Sequence, residues 1–256
     1  MRDAIVFSGW SWETFNVPER ITLALAYLGS KVLYCENPSS ILRRKKQSEL
    51  KQIQDRIFVF RPVFGGHRFN RIPLFREIQA HIVARQIVQH AKMLGLNKPL
   101  FFYPWMSNFL SLCLEMKAKG FFLVHIHMDY LENNSEAHVD ISDITLVIQR
   151  CTFHKLRARF GDKVHLIPQS VNFKLFHSQM SNFKEQQGDS LSIPRPRLGY
   201  TGPIHNRLNL SMLSELLLRH PNWHFVSFGS REKIFRFPNF HVIPWKRQEE
   251  LPKIFC

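Results

Sequence analysis

The chain has 256 residues, of which 45% are hydrophobic and 21% charged. This is the composition of a globular protein, and it excludes collagen, a coiled coil and global disorder. The length accommodates one large domain or two small ones. Lys and Arg number 35 against 20 Asp and Glu, a formal net charge of +15, so the surface attracts polyanions such as nucleic acid, anionic lipid headgroups or phosphorylated substrates.

The sequence contains no apparent targeting or membrane-spanning segment. No apolar run reaches the roughly 18–20 residues that a membrane span needs. The apolar stretch at the N-terminus is interrupted by Asp3 and is too short for a signal peptide. We therefore expect a cytoplasmic protein, and its four cysteines, which lack CxxC spacing, are expected to be reduced thiols.

The first 36 residues predict a strand–helix–strand unit of the usual length. Residues 4–7 form an apolar run that ends at Gly9, which indicates a buried strand. Asn16, with Glu19 three residues later, is typical of a helix N-terminus. Residues 31–35 predict the second strand.

Residues 41–54 are strongly basic, with four consecutive positive charges at 43–46. Such a segment is a solvated loop or an exposed helix face, or it contacts an anionic surface. Near lipid headgroups each Lys or Arg contributes about 1 kcal/mol of attraction.

The rest of the first 176 residues alternates between strand and helix patterns, which indicates an α/β layer fold. Strands are predicted at 57–60, 99–103, 121–126, 144–148 and 164–167, and helices at 74–94 and 107–118.

A polar segment at 177–194 predicts a linker, after which the pattern restarts. Strands are predicted at 197–202, 224–228 and 239–243, a helix at 209–220, and a further helix from about 249. We therefore interpret 1–176 as a Rossmann-like domain and 195–256 as the first half of a second one, because three parallel strands need helices on both faces.

Common nucleotide and metal motifs are absent. The first strand is not followed by GxGxxG, and no GxxxxGK[ST], HExxH, zinc spacing or GxSxG occurs. Asp140 and Asp143 are spaced D-x-x-D and are interpreted as helix caps rather than as metal ligands.

Five segments nevertheless occur in an order that matches a known family pattern. They are Ser8-Gly9 with Pro18-Glu19-Arg20 and LGSKVLYCENP, FFYPW at 101–105, VHIHMDY at 124–130, DISDITLVIQ at 140–149 with HLIPQSVNFKLF at 165–176, and the segment 194–230 containing LGYTG and PNWHFVSFG. Together they resemble GT-B glycosyltransferases of the family-4 (group 1) type. The chain departs from that pattern at Gln169-Ser170, Asn172 and Asn209, and the family's acidic C-terminal third is missing, so the resemblance implies truncation within the donor domain.

The resemblance implies an activity and partners. The chain would transfer a sugar from a nucleotide-sugar donor to a cell-surface polysaccharide or lipid-linked acceptor, without a metal or other cofactor, in a cleft between the two domains. Residues 41–54 would hold it at the anionic inner face of the plasma membrane. No nucleic-acid partner is expected.

Donor-binding residues follow from this resemblance and from phosphate chemistry. A diphosphate leaving group needs backbone N–H groups and Arg or Lys. Gly202 and Arg207 are expected to contact it from the second domain, and Gly9 from the first. An ordinary turn at either glycine, and a solvated Arg207, remain the alternatives.

On the acceptor side, His127 and Asp129 follow a strand end, where α/β sheets place ligands, and are expected to orient the acceptor hydroxyl or accept its proton. His125 is predicted to point to the opposite side of the strand and to be structural. Arg20 and Trp105 are candidate acceptor contacts, with a surface role for Arg20 and a core role for Trp105 left open.

Two other functions remain open. The chain could be a truncated, non-catalytic glycosyltransferase-like remnant, which its end at Cys256 motivates. Less favoured is a basic nucleic-acid-binding protein, because no RRM, helix-turn-helix or zinc-knuckle signature accompanies the charge.

Overall fold

The computed structural model describes residues 2–12, 16–40, 49–65, 72–104, 109–128, 135–169, 171, 173–174, 176–177, 192–202, 204, 208–229, 235–244 and 250. The chain divides into two compact units, Met1–Gln169 and Ser170–Cys256. Most of the linker predicted at 177–194 lies outside the described residues.

The first unit is an α/β layer structure, as the alternating pattern predicts. Its elements are β1 (Ala4–Phe7), α1 (Val17–Tyr27), β2 (Val32–Cys35), β3 (Ser39–Ser40), β4 (Lys51–Gln54), β5 (Ile57–Phe60), β6 (Val63–Phe64), α2 (Pro73–Met93), β7 (Leu100–Pro104), α3 (Leu110–Ala118), β8 (Phe122–His127), α4 (Ser135–Ile141), β9 (Ile144–Val147), α5 (Arg150–Phe160) and β10 (Val164–Leu166).

Eight of these strands form one sheet in the order β10-β9-β8-β7-β1-β2-β5-β4. All neighbours are parallel except β4 and β5, which are antiparallel. Strands β3 and β6 form a separate parallel pair. The central strand is β1, whose residues 4–7 are buried on both sides, as expected for a parallel sheet covered on both faces.

The two faces of the sheet have separate cores. Helices α2 and α3 cover one face, where Ala84, Ile87 and Met116 pack against side chains of β1, β2, β7 and β8. Helix α1 covers the other face through Ile21 and Leu25. Because side chains alternate along each strand, the buried strands contribute residues to both cores.

The predicted start of α1 is confirmed. The Asn16 side chain accepts a hydrogen bond from the Glu19 backbone N–H at 2.9 Å, and Pro18 occupies the first turn. Such a cap is worth about 1 kcal/mol of helix stability. Helix α1 thus begins at a defined position on the side of the sheet where the parallel strands end.

Five elements escaped the sequence reasoning, among them β3 and β6, which are strands of only two residues. Residues 51–54, assigned to the basic loop or helix, form the edge strand β4, and all four are exposed, so no apolar alternation marks them. Residues 41–48 lie outside the described residues. Helices α4 and α5 were missed because each contributes few apolar side chains to the core, chiefly Val139 and Leu156.

The second unit contains β11 (Arg197–Thr201), α6 (Leu210–Arg219), β12 (His224–Phe228) and β13 (Phe240–Ile243). Its three strands form a parallel sheet in chain order. Leu213 and Leu217 of α6 pack on Phe225 and Phe240. The strands and helix predicted here are confirmed within one or two residues.

No helix among the described residues is long and apolar enough to cross a membrane. Cys35, Cys113 and Cys151 are free thiols, as predicted, and the first two are buried.

Candidate functional site at the carboxyl ends of the strands

The carboxyl ends of the parallel strands define one edge of the first sheet, called here the carboxyl edge. The chain leaves β1 towards β2 on one side, while β7 lies on the other side of β1. The direction of chain progression therefore reverses between β1 and β7. In open α/β sheets, ligands bind outside the carboxyl ends at such a switch point.

Gly9 lies at this switch point. It lies two residues after the end of β1, is buried, and has a φ of 72°, a left-handed conformation that favours glycine. The Ser8 hydroxyl closes the turn, because it donates to the Trp10 carbonyl at 2.6 Å and accepts from the Trp10 N–H at 3.0 Å. The structure thus places Gly9 where a ligand is expected, and its donor-binding role stays a prediction.

A charge pair that the sequence reasoning missed fixes the loop after this turn. Glu36 follows β2 and accepts a hydrogen bond from the Trp12 N–H at 2.8 Å. Its other oxygen accepts from Arg61, which follows β5, with N–O distances of 2.8 and 2.7 Å. Arg61 also donates to the Ser11 hydroxyl at 3.1 Å. Both residues directly follow strands, which is the signal that could have identified them.

Arg20 is exposed in the first turn of α1, on the side of the carboxyl edge. Nearby, the Asn16 amide donates to the Tyr34 hydroxyl at 3.4 Å, and Trp12 packs edge-on against Tyr34 with ring centroids 4.9 Å apart. Burial raises the pKa of Tyr34 to about 12, although hydrogen bonds from Ser8 and Asn16 oppose the effect. Tyr34 therefore stays neutral and serves as a packing partner.

His127 is the last residue of β8, and it is almost fully buried, at 2% exposure. The orientation predicted for His125 is wrong: it lies on the same face of β8 as His127, because residues two apart in a strand share a face. Their ring centroids are 5.7 Å apart. His138 of α4 stacks on His125 at 5.5 Å, and its carbonyl accepts from the Tyr103 hydroxyl at 3.1 Å.

Within this histidine cluster (125, 127 and 138), burial keeps the His125 and His138 rings neutral near pH 7. Burial, helped by the neighbouring histidines, holds the pKa of His125 well below its ordinary value. Burial likewise lowers the pKa of His138 to about 4. An acceptor would reach the His127 imidazole only after the ring is uncovered, because it is buried on the face of the sheet that α2 and α3 cover.

Three predicted site residues, Trp105, Asp129 and Arg207, lie outside the described residues. Asp143 does not cap a helix as predicted; its carboxylate accepts from the Leu123 N–H at 2.7 Å and fixes the start of β8. Among the residues that the structure describes, no group of three or more His, Cys, Asp or Glu is arranged to hold a metal ion.

The second unit repeats the glycine turn. Gly202 follows β11 with a φ of 130°, and its N–H donates to the Phe228 carbonyl at 2.9 Å. Gly229 follows the neighbouring β12 with a φ of 91°. Asn209 begins α6 by accepting from the Met212 N–H at 3.0 Å. A strand, a glycine turn and a capped helix thus follow one another, as in phosphate-binding α/β units.

Comparisons with known proteins give a fold but no family. No family model matches the chain, and no curated protein sequence matches it. Among solved structures, the trehalose 6-phosphate synthase of Burkholderia multivorans matches 100% of this chain and 76% of its own, with 10% identity and a TM-score of 0.62.

Two further structures are similar. An E. coli trehalose-6-phosphate protein bound with UDP-2-fluoro glucose matches 99% of this chain and 76% of its own, at 8% identity and a TM-score of 0.58. The UDP-N-acetylglucosamine 2-epimerase of Rickettsia bellii matches 99% and 71%, at 10% identity and a TM-score of 0.58. Identities this low show the fold alone: the chain has a GT-B-like α/β fold, as the sequence predicted.

Proposed function

We propose that the chain is a glycosyltransferase of the family-4 type that moves a sugar from a nucleotide-sugar donor to a glycan or lipid-linked acceptor. The observation that carries the proposal is the pair of left-handed glycine turns, Gly9 and Gly202, each within two residues of the end of the first strand of its unit, in a fold similar to UDP-sugar enzymes. Such turns allow a backbone to approach a diphosphate closely.

The donor would bind at the second unit through Gly202 and Arg207. The Gly202 N–H is already used by the Phe228 carbonyl. The glycine therefore contributes a backbone free of a side chain, and the cation that offsets the diphosphate charge comes from Arg207. No metal or other cofactor takes part in this proposal.

The acceptor would bind at the carboxyl edge of the first unit. His127 and Asp129 would orient the acceptor hydroxyl or accept its proton. Arg20 and Trp105 would position the acceptor. The basic segment 41–54 would keep the protein at an anionic membrane surface where a lipid-linked acceptor is found.

The test is a thermal-shift screen of the chain against UDP-, GDP- and dTDP-sugars. A ligand that binds only the folded state raises the apparent stability by mass action. We expect one nucleotide class to raise the melting temperature and Arg207→Ala to weaken that effect. The matched control is Arg219→Ala, at the other end of α6, where the arginine pairs with Glu215. Equal losses in both variants would contradict the role of Arg207.

A product assay separates transfer from the other functions open to this fold. Transfer releases a nucleoside diphosphate, whereas an epimerase product keeps the nucleotide. We expect His127→Ala and Asp129→Asn to reduce transfer more than donor binding, and His154→Ala, an exposed histidine on α5, to change neither. Donor binding without turnover would indicate a non-catalytic remnant. Salt-sensitive binding to random oligonucleotides, without affinity for UDP or GDP, would overturn the proposal.

A further inference from the structure

A pocket lies at the amino edge of the first unit's sheet, where the parallel strands begin, opposite the carboxyl edge. It has a volume of about 430 Å³ and lies where β7 and β8 begin and where α2 and α3 end. This volume is within the roughly 300–1,000 Å³ of small-molecule sites. We call it the basal pocket. It is far from the carboxyl edge along the strands, so its ligand would not compete with an acceptor there.

The basal pocket joins an apolar floor to a cationic rim. The floor includes Val88, Leu96 and Phe121, and Phe122 is 38% exposed at its border. The rim carries four cations and no acidic residue: Arg2, Lys92, Lys98 and Lys119. One side of any bound molecule would therefore meet apolar surface while the other met positive charge.

Ion pairing within the chain does not account for this charge. Lys119 pairs with Glu115 at 2.8 Å, and this contact is the main reason for the lowered pKa of Glu115. The ion pairs formed by the described residues include none of the other three cations. The nearby Asp3 carboxylate is used by the backbone N–H groups of Lys31 and Asn97, at 3.1 and 3.3 Å.

Helix dipoles explain only half of the rim. Lys92 and Lys119 lie at the C-terminal ends of α2 and α3, where cations are favourable. Arg2 and Lys98 instead precede β1 and β7. Lys98 has a φ of 43°, a left-handed conformation that is unfavourable for a residue other than glycine, and such positions cluster at binding sites.

From these observations we propose that the basal pocket binds a phosphate monoester attached to an apolar or aromatic group. The cations would surround the phosphate, and the Phe122 ring and the aliphatic floor would cover the attached group. A free nucleoside monophosphate and phosphatidic acid in a membrane both offer this chemistry. The proposal does not depend on sugar transfer.

The experiment measures binding to the chain by calorimetry with defined probes: 2-naphthyl phosphate, inorganic phosphate and uncharged 2-naphthol. We expect 2-naphthyl phosphate to bind most tightly, because it alone offers both halves of the ligand. Sedimentation with phosphatidic acid vesicles and with phosphatidylcholine vesicles tests the lipid source. If the natural ligand is a lipid, the protein should bind the phosphatidic acid vesicles more tightly than it binds the soluble probe.

Three variants and a matched control assign the binding. Lys98→Gly removes a cation without backbone strain, and we expect affinity for the preferred probe to fall about tenfold, as for a lost charge-assisted hydrogen bond. Arg2→Gln should act similarly. Phe122→Ala should weaken the naphthyl probe but not inorganic phosphate. Lys155→Gln removes one exposed cation on α5, a helix that contributes no residue to the pocket, and should have no effect.

The proposal is overturned if no phosphate probe or anionic vesicle binds. It is also overturned if Lys98→Gly and Arg2→Gln bind as the parent does, or if Lys155→Gln causes an equal loss, since the attraction would then come from net charge alone. Because Lys98→Gly is expected to fold at least as stably as the parent, its loss of binding cannot be attributed to unfolding.

Discussion

The two edges of the eight-stranded sheet differ in whether their charged side chains form ion pairs. At the carboxyl edge, Glu36 and Arg61 pair with each other and fix the loop after Gly9. At the amino edge, where the basal pocket lies, Arg2, Lys92 and Lys98 have no acidic partner among the described residues. The first arrangement stabilises the chain itself, whereas the second leaves its electrostatic attraction available to a ligand.

The largest expected effect tests the pairing at the carboxyl edge. Replacing Glu36 with Ala leaves Arg61 and the Trp12 N–H without their acceptor, and the Glu36 side chain is only 13% exposed. We expect the free energy of unfolding to fall by about 2–3 kcal/mol, measured by urea denaturation. Lys98→Gly at the amino edge is the comparison, and a similar loss there would remove the contrast between the edges.

The histidine cluster at the end of β8 predicts acid sensitivity of the carboxyl edge. His138 has a pKa of about 4 when folded and an ordinary value of 6.5 when unfolded, so between these values the unfolded state binds more protons. Stability is therefore complete above about pH 6.5 and falls with acidification, by about 2 kcal/mol at pH 5 for His138 alone.

Urea denaturation at pH 7.5 and pH 5 measures this loss. His138→Gln should reduce the difference between the two pH values, because it removes one of the buried groups that must stay neutral. His154→Gln, which replaces an exposed histidine, should leave the difference unchanged. A pH dependence that persists in full in His138→Gln would contradict the assignment.

Two glycines with similar backbone conformations allow the effect of backbone strain on stability to be distinguished from an effect on ligand binding. Gly9 and Gly120 have similar φ values, 72° and 80°, and lie at opposite edges of the sheet. Alanine at either position should lower the free energy of unfolding by about 1–2 kcal/mol, because both need a left-handed backbone. Only Gly9→Ala should also weaken the response to a nucleotide sugar. If Gly120→Ala weakens that response equally, the effect is one of stability.

The smallest expected effect concerns the amino edge. Lys98→Gly should raise the free energy of unfolding by about 0.5 kcal/mol, since relief of the left-handed strain is partly offset by the flexibility of glycine in the unfolded chain. Thermal denaturation of this variant and the parent measures the change. A clear loss of stability would show that Lys98 supports the fold rather than a ligand.

Local features of the sequence were sufficient for most elements. Short apolar runs identified the buried strands, and Asn16 identified the start of α1. The same rules failed where elements bury little apolar surface. In β4 every residue is exposed, and α5 buries only Thr152 and Leu156, so neither leaves a clear period in the sequence.

The candidate site was predictable only in part. The rule that ligands lie beyond the ends of strands selected Gly9 and His127. If the rule had been applied to every strand, it would also have selected Glu36 and Arg61. That these two pair depends on the adjacency of β2 and β5 in the sheet. The shared face of His125 and His127 was available from the period of two, but the stacking of His138 on them was not.

By itself, the sequence determined the α/β class, the buried strands, the glycine turns and the excess of positive charge, because these depend on composition and on neighbours within a few residues. Only the tertiary structure decided that β7 lies beside β1, which creates the switch point at Gly9. It also decided that cations far apart in the chain, such as Arg2 and Lys119, line one pocket. The order of strands in a sheet is set by the packing of distant segments, and no local pattern encodes it.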